Sequence, residues 1–239
     1  MCHLYSVLEA HGIKTLVPLP GVGENMMEQP NVLIGYIATG ALTPARNAWT
    51  AYLTTSQIYG DDFQAVSKRV ADSLPAWAQD VADISQFLNA TALERIFRVQ
   101  YDLLFVHDVP ASEHLALMAD YEGTPVQGTN FWTLHLFSRG SVHLRGTGVE
   151  EVDRPLINHR LLHLDFDMDM TIRAGRATRD FWHSDELEET IVAPGLPFPD
   201  ERDSSDEAWT QFLRGASKWF TSWHRSVVHP LTNNANSGR

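Results

Sequence analysis

Hydrophobic positions change their period several times along this chain, and each change predicts a change of element. Leu4, Val7 and Leu8 have helical spacing and Gly12 fits the left-handed position that closes a helix. Ile13 to Val17 is apolar and β-branched, predicts a short strand, and is stopped by Pro18. Residues 31–60 hold two strand-like pieces, NVLIGYIA and WTAYLTTSQIYG, separated by turn residues. The period then becomes helical over 61–106. Phe63, Val66, Val70 and Leu74 make one stripe, and Leu93, Ile96, Phe97 and Leu104 another, both read as core-facing. Thr91 with Glu94 reads as a capping box.

Alternation returns in FWTLHLFSRGSVHLRG, residues 131–146, where Ser138-Arg139-Gly140 predicts a hairpin or tight turn. PLINHRLLH follows as an extended crossing. Residues 165–183 read as a helix, with Leu164, Met168, Ile172 and Trp182 on or near one face. Residues 193–206 form a proline-rich loop, ending in a second capping box, Ser204 with Glu207, before the helix DEAWTQFLRG. The order predicts an α+β fold, a mainly antiparallel sheet covered by helices. No strand–helix alternation signals a doubly wound nucleotide domain. A chain that opens on the tail of a helix leads us to expect that earlier residues of that helix lie outside it.

Charge and composition narrow the partners. A hydrophobic content of 44% over 239 residues is enough for a core. The formal net charge of -12 argues against nucleic acid, which needs a basic face, and against an anionic membrane surface. No apolar run approaches the roughly 20 residues that span a bilayer. The single cysteine, Cys2, allows no intrachain disulfide and no cysteine metal cluster. The N-terminus has no signal-peptide pattern, so the sequence leaves cytoplasmic and secreted locations both open.

Candidate chemistry is sparse. Gly21-Val22-Gly23 begins like G-x-G-x-x-G, but position 26 is Met and Pro30 interrupts the following segment. The pair therefore reads as a turn that needs positive φ or close backbone approach, not as a phosphate loop. His159 and His163 stand four apart on a segment that reads as extended, so we expect no metal site there. His135 and His143 read as half-buried strand residues. There is no G-x-S-x-G elbow and no P-loop. In KWFTSWHRSVVHPLTNN, His224 follows a Trp at the end of a helical segment and His229 precedes Pro230. A histidine in such a place can serve as a general base.

Three of these stretches together resemble one family. LEAHGIKTLVPLPGVGENMMEQPN, FSRGSVHLRG with PLINHRLL, and SDEAWTQFLRG followed by Trp-His are similar to segments of glucose–methanol–choline (GMC) oxidoreductases, in the family's order, from about residue 4 to 224. The likeness is greatest to fungal enzymes of the glucose oxidase and aryl-alcohol oxidase type. The resemblance implies FAD as cofactor, an alcohol or sugar as small-molecule substrate, and oxidation of a CH–OH group, a histidine taking the hydroxyl proton while hydride passes to flavin N5. It implies cofactor proximity for Gly21, Gly23 and Asn25. It implies His224 as base, with His229 as runner-up, because His224 is followed by Arg and His229-Pro230-Leu231-Thr232 keeps more of the family's HPxGT. Glu28-Gln29-Pro30 stands where the family has Asp-His-Pro. On this reading residues 1–30 are a remnant of the FAD-proximal segment, 31–224 the substrate-binding domain, and 225–239 an irregular tail. The Rossmann-like FAD domain is missing, and the partner is a homodimer mate or that N-terminal half. The competing reading is a non-catalytic module that binds a small ligand or a protein with the same sheet.

Overall fold

Residue patterning and observed elements can be matched in the computed structural model, which describes residues 8–41, 49–85, 87–148, 154–196, 198–202 and 204–215. Strand β1, Val32–Ala38, alternates buried and half-buried positions without a break, as a period of two requires. Strand β2 is Trp49–Thr54. The helical stretch holds α1 (Thr55–Tyr59), α2 (Phe63–Ser85) and α3 (Ala90–Tyr101), the last closing in a π turn over Asp102–Val106. Strands β3 (Pro110–Tyr121) and β4 (Thr124–Thr133) follow, then two short strands, β5 (Ser141–His143) and β6 (Leu156–Asn158). Helix α4 is Asp165–Trp182, strand β7 is Ile191–Pro194, and helix α5 covers residues 206–215.

The main sheet has the order β2-β3-β4-β1-β7. Strands β1 and β4 pair antiparallel from Val32 opposite Phe131 to Ile37 opposite Val126, and β7 pairs antiparallel with the other side of β1. Strands β5 and β6 form a second, two-stranded antiparallel sheet. The fold is α+β with a mainly antiparallel sheet, as the sequence predicts.

The chain divides into two compact units. One comprises residues 1–29, 53–111 and 133–170; the other comprises 30–52, 112–132 and 171–239. Aromatic rings fill the first: Phe137 lies 5.4 Å from Trp77, 5.3 Å from Phe97 and 5.7 Å from Phe166. In the second, Tyr36, Phe131, Trp182 and Trp209 are all essentially inaccessible to solvent. Gly175 on α4 admits the Trp209 ring so closely that a Cβ would collide with it.

Five local expectations are corrected. Ile13–Val17 is not a strand; Leu16 is 86% exposed, so nothing there rewards an extended pairing. The end of WTAYLTTSQIYG is helix α1, started by a capping box between Thr54 and Gln57. The cap of α3 is Asn89, whose side chain accepts from the Ala92 N–H at 3.0 Å, and not Thr91. Helix α5 is capped by Ser205, one residue later than predicted. Most consequentially, Ser138-Arg139-Gly140 is no hairpin turn. The hairpin joins β3 to β4 through Glu122 (φ 51°) and Gly123 (φ 83°), the pair of left-handed residues that a type I′ turn demands.

Candidate functional site

The glycine loop folds back on itself before it meets anything else. The Val22 N–H donates to the Leu19 carbonyl and the Glu24 N–H to the Gly21 carbonyl, two turns in succession. Gly23 has φ 81° and Asn25 has φ 61°, conformations that glycine and asparagine tolerate best.

The partner of this loop is the chain's own 139–143 segment. Met26 and Gly140 exchange backbone hydrogen bonds at 3.0 and 2.7 Å, and the Val142 N–H donates to the Gly23 carbonyl at 2.7 Å. A Cβ on Gly23 would run into the Val142 carbonyl and the His143 ring. Gly140 is equally constrained, because a Cβ there would strike the Asn158 carbonyl. Gly21 differs, with open space around its Cβ position.

Side chains lock the same junction. Arg139 is 4% exposed. Its Nε donates to Asn25 Oδ1 at 2.9 Å, its Nη1 to the carbonyls of Leu136 (2.6 Å) and Ser138 (2.9 Å), and its Nη2 to Gln100 Oε1. The guanidinium lies over the Phe97 ring at 5.1 Å. Burial pulls its pKa down to about 10, against the opposing pull of Asp167, so it stays charged near neutrality. Asp167, in the first turn of α4, accepts the N–H groups of Phe137 (3.0 Å) and Ser138 (2.6 Å) and so fixes the backbone that delivers Arg139. Beside it, Glu24 has a side chain only 2% exposed. One oxygen meets His143 Nε2 at 2.8 Å and the other accepts from Ser85 Oγ at 2.7 Å.

Gly21, Gly23 and Asn25 therefore stand together, on a loop tied to the 139–143 segment. His224 and His229 lie outside the described residues. Glu24, Gln100, Arg139 and His143 are members of the junction that sequence reasoning did not single out as such. The signal was present in two quoted motifs, GEN and SRG, but nothing in the linear sequence couples positions more than 100 residues apart. His159 and His163 do not share a site: His159 lies 3.5 Å from Glu28 and His163 2.7 Å from Asp80. Among the described residues no group of three His, Cys, Asp or Glu side chains could hold a metal ion, and no helix is long and apolar enough to cross a membrane.

The junction is a poor fit to FAD by itself. The Gly23 carbonyl and the Asn25 amide oxygen are both engaged by the chain, and Arg139 is buried under four acceptors instead of facing a diphosphate. A cofactor cradle needs groups beyond these, and no reaction step is derived from them.

Comparison with known proteins points to one family of oxidoreductases. Residues 137–227 match the GMC oxidoreductase family model. The chain is 35% identical over 208 residues to the glucose oxidase-like protein fsoC of Humicola fuscoatra, covering 85% of this chain and 33% of that protein. It is 34% identical over 140 residues to a glucose oxidase of Aspergillus carbonarius, covering 58% and 22%. Among solved structures, a fungal aryl-alcohol oxidase superposes with a TM-score of 0.67 at 20% identity, over 87% of this chain and 39% of that one. An FAD-dependent oxidoreductase from Chaetomium thermophilum gives 0.61 at 17%, over 89% and 39%. Residues 137–227 carry the C-terminal GMC oxidoreductase domain, and the chain as a whole is similar to part of fungal glucose oxidase-like proteins. It spans about a third of the length of the fsoC relative.

Proposed function

We propose that this chain is the substrate-domain portion of an FAD-dependent oxidoreductase that converts a CH–OH group of an alcohol or sugar to a carbonyl. The observation that supports this best is the junction itself. Two motifs that resemble the family's, PGVGEN and SRG, are joined by the Arg139–Asn25 hydrogen bond and by the Met26–Gly140 bridge. The cofactor, when bound, supplies the two-electron acceptor. His224 is the residue proposed to take the hydroxyl proton, with His229 as the alternative, since proton removal makes the carbinol carbon a better hydride donor. The polar groups of the junction are already engaged by the chain itself, so this chain alone is expected not to retain FAD.

The test is a visible absorption spectrum of the purified chain with FAD added and the excess removed. A colourless protein is expected. When the chain is joined to an in-frame upstream segment carrying G-x-G-x-x-G, a bound-flavin spectrum that bleaches with alcohol is expected. His224→Ala should abolish the bleaching and leave the bound flavin. A joined protein that binds flavin but bleaches equally with His224→Ala would transfer the role to His229. One that never binds flavin would sink the reading.

A further inference from the structure

We infer that His183 is a doubly protonated, pH-controlled clasp that holds together two segments bordering a polar cleft in the second unit. The cleft has a volume of about 310 Å³ and is lined by His183, Asp185, Glu188, Asp200 and Arg202. Both ring nitrogens of His183 face carboxylates: Nδ1 lies 2.6 Å from Glu188 Oε2 and Nε2 lies 2.9 Å from Asp200 Oδ1. An ionised carboxylate only accepts hydrogen bonds, so both nitrogens must donate, and only the imidazolium has two N–H groups. The geometry alone therefore assigns the charge.

The surroundings say which arm lets go. Asp200 has a second donor, the Tyr36 hydroxyl at 2.9 Å from the central strand β1. Burial, with Asp200 next, pushes the Tyr36 hydroxyl far above its ordinary range, so it remains a donor. Glu188 side-chain atoms are 57% exposed, against 24% for Asp200. Once His183 loses a proton, one nitrogen becomes an acceptor and repels its carboxylate. The Asp200 arm keeps its Tyr36 bond, so the Glu188 arm is released. The remaining charges do not replace it. Arg179 is committed to Asp180 and to the Glu201 carbonyl, and Arg202 reaches the His183 carbonyl at 3.4 Å. Asp185, like Glu188, is an acceptor and adds to the field that favours the imidazolium. Burial pulls the His183 pKa down, but the hydrogen bonds and charges of Asp200 and Glu188 outweigh it, and the net direction is up. His183 also follows the C-terminal end of α4, where the helix dipole favours a cation.

The sign follows from that direction. A raised folded-state pKa makes the clasp fully present below the unfolded value of 6.5 and lost as pH rises through the higher folded value. The segment that should respond is the turn 184–190, where the N–H groups of Leu187 and Glu188 donate to the Ser184 carbonyl and that of Thr190 to the Leu187 carbonyl. The change loosens the wall of the cleft that Glu188 forms.

The experiment is a ¹H–¹³C NMR titration of the full chain, with the His183 signal identified by its absence in His183→Asn. Amide exchange at Leu187, Glu188 and Thr190 is followed in parallel and corrected for intrinsic rates. A midpoint above 6.5 is expected, with exchange at those amides rising roughly five-fold or more through it as one charged hydrogen bond is lost. Glu188→Gln and Asp200→Asn should each lower the midpoint, and His183→Asn should exchange fast at every pH. A midpoint at or below 6.5, or exchange in the unmodified chain that ignores pH, overturns the clasp.

Discussion

Two glycines two residues apart have opposite reasons to be glycine, and a pair of substitutions separates them. At Gly23 the backbone is left-handed and the Val142 carbonyl occupies the Cβ position. Gly23→Ala should therefore cost about 3 kcal/mol, strain and displacement together. Gly21 has neither constraint, and Gly21→Ala should stay within about 0.5 kcal/mol. Urea unfolding of the two variants checks both values. At another residue, His114 is buried between Ser112 Oγ and Thr178 Oγ1, both at 2.8 Å, with its ring stacked on Phe131. Burial lowers its pKa to about 4. Here the sign is opposite to that of His183: stability is complete above the unfolded value of 6.5 and is lost as pH falls towards about 4. The gap corresponds to about 3 kcal/mol. Stability measured by urea titration from pH 7 to 4 should show this acid limb, and His114→Gln should flatten it.

At the level of elements, termini decide what periodicity leaves open. The stripe Val66, Val70, Leu74 is buried as its spacing predicts, and so are Leu93, Phe97 and Leu104. Ile96, on the same predicted stripe, is 42% exposed, because a period of 3.6 places it at the margin of the face. The start of α3 is the sharper test. Asn89→Ala removes the side chain that accepts from Ala92 N–H and should cost about 1 kcal/mol. Thr91→Ala, at the residue that the capping-box pattern favours, should be neutral or gain a few tenths of a kcal/mol, because Thr91 lies inside the helix and alanine has the higher helix propensity. Thermal unfolding of the pair distinguishes the two caps. The strand pattern of residues 131–146 misleads for a related reason. Alternation survives in the sequence, but β4 ends at Thr133 and Asp167 captures the N–H groups of Phe137 and Ser138 that a continued strand ladder would use.

At the scale of the molecule, a cluster of exposed apolar side chains lies before Asn25 among the described residues. Leu16, Val17, Leu19 and Val22 are 86%, 65%, 56% and 61% exposed, within seven residues of one another. Clustered apolar side chains of this kind mark an interaction surface or an aggregation liability. The isolated chain should therefore self-associate, with light scattering that grows with concentration. The double substitution Leu16→Lys, Leu19→Lys should reduce it. A well-behaved monomer at high concentration would show that this stretch finds cover within the chain.

The sequence by itself determined the α+β class, the long helices and the resemblance to one family, since hydrophobic period and short motifs are local properties written in consecutive residues. Val32, Ile34 and Tyr36 are buried because alternation demands it, and the helix over 165–182 is legible in its stripe. What the glycine loop approaches was not legible. Gly23 against Val142, Asn25 against Arg139 and Glu24 against His143 each join residues well over 100 positions apart. Nor was the charge inferred for His183, which depends on two carboxylates that only the folded chain brings to both its nitrogens. Burial and pairing belong to three-dimensional packing, where a buried cation or carboxylate persists only when particular partners arrive together. No local pattern in the sequence records that arrival.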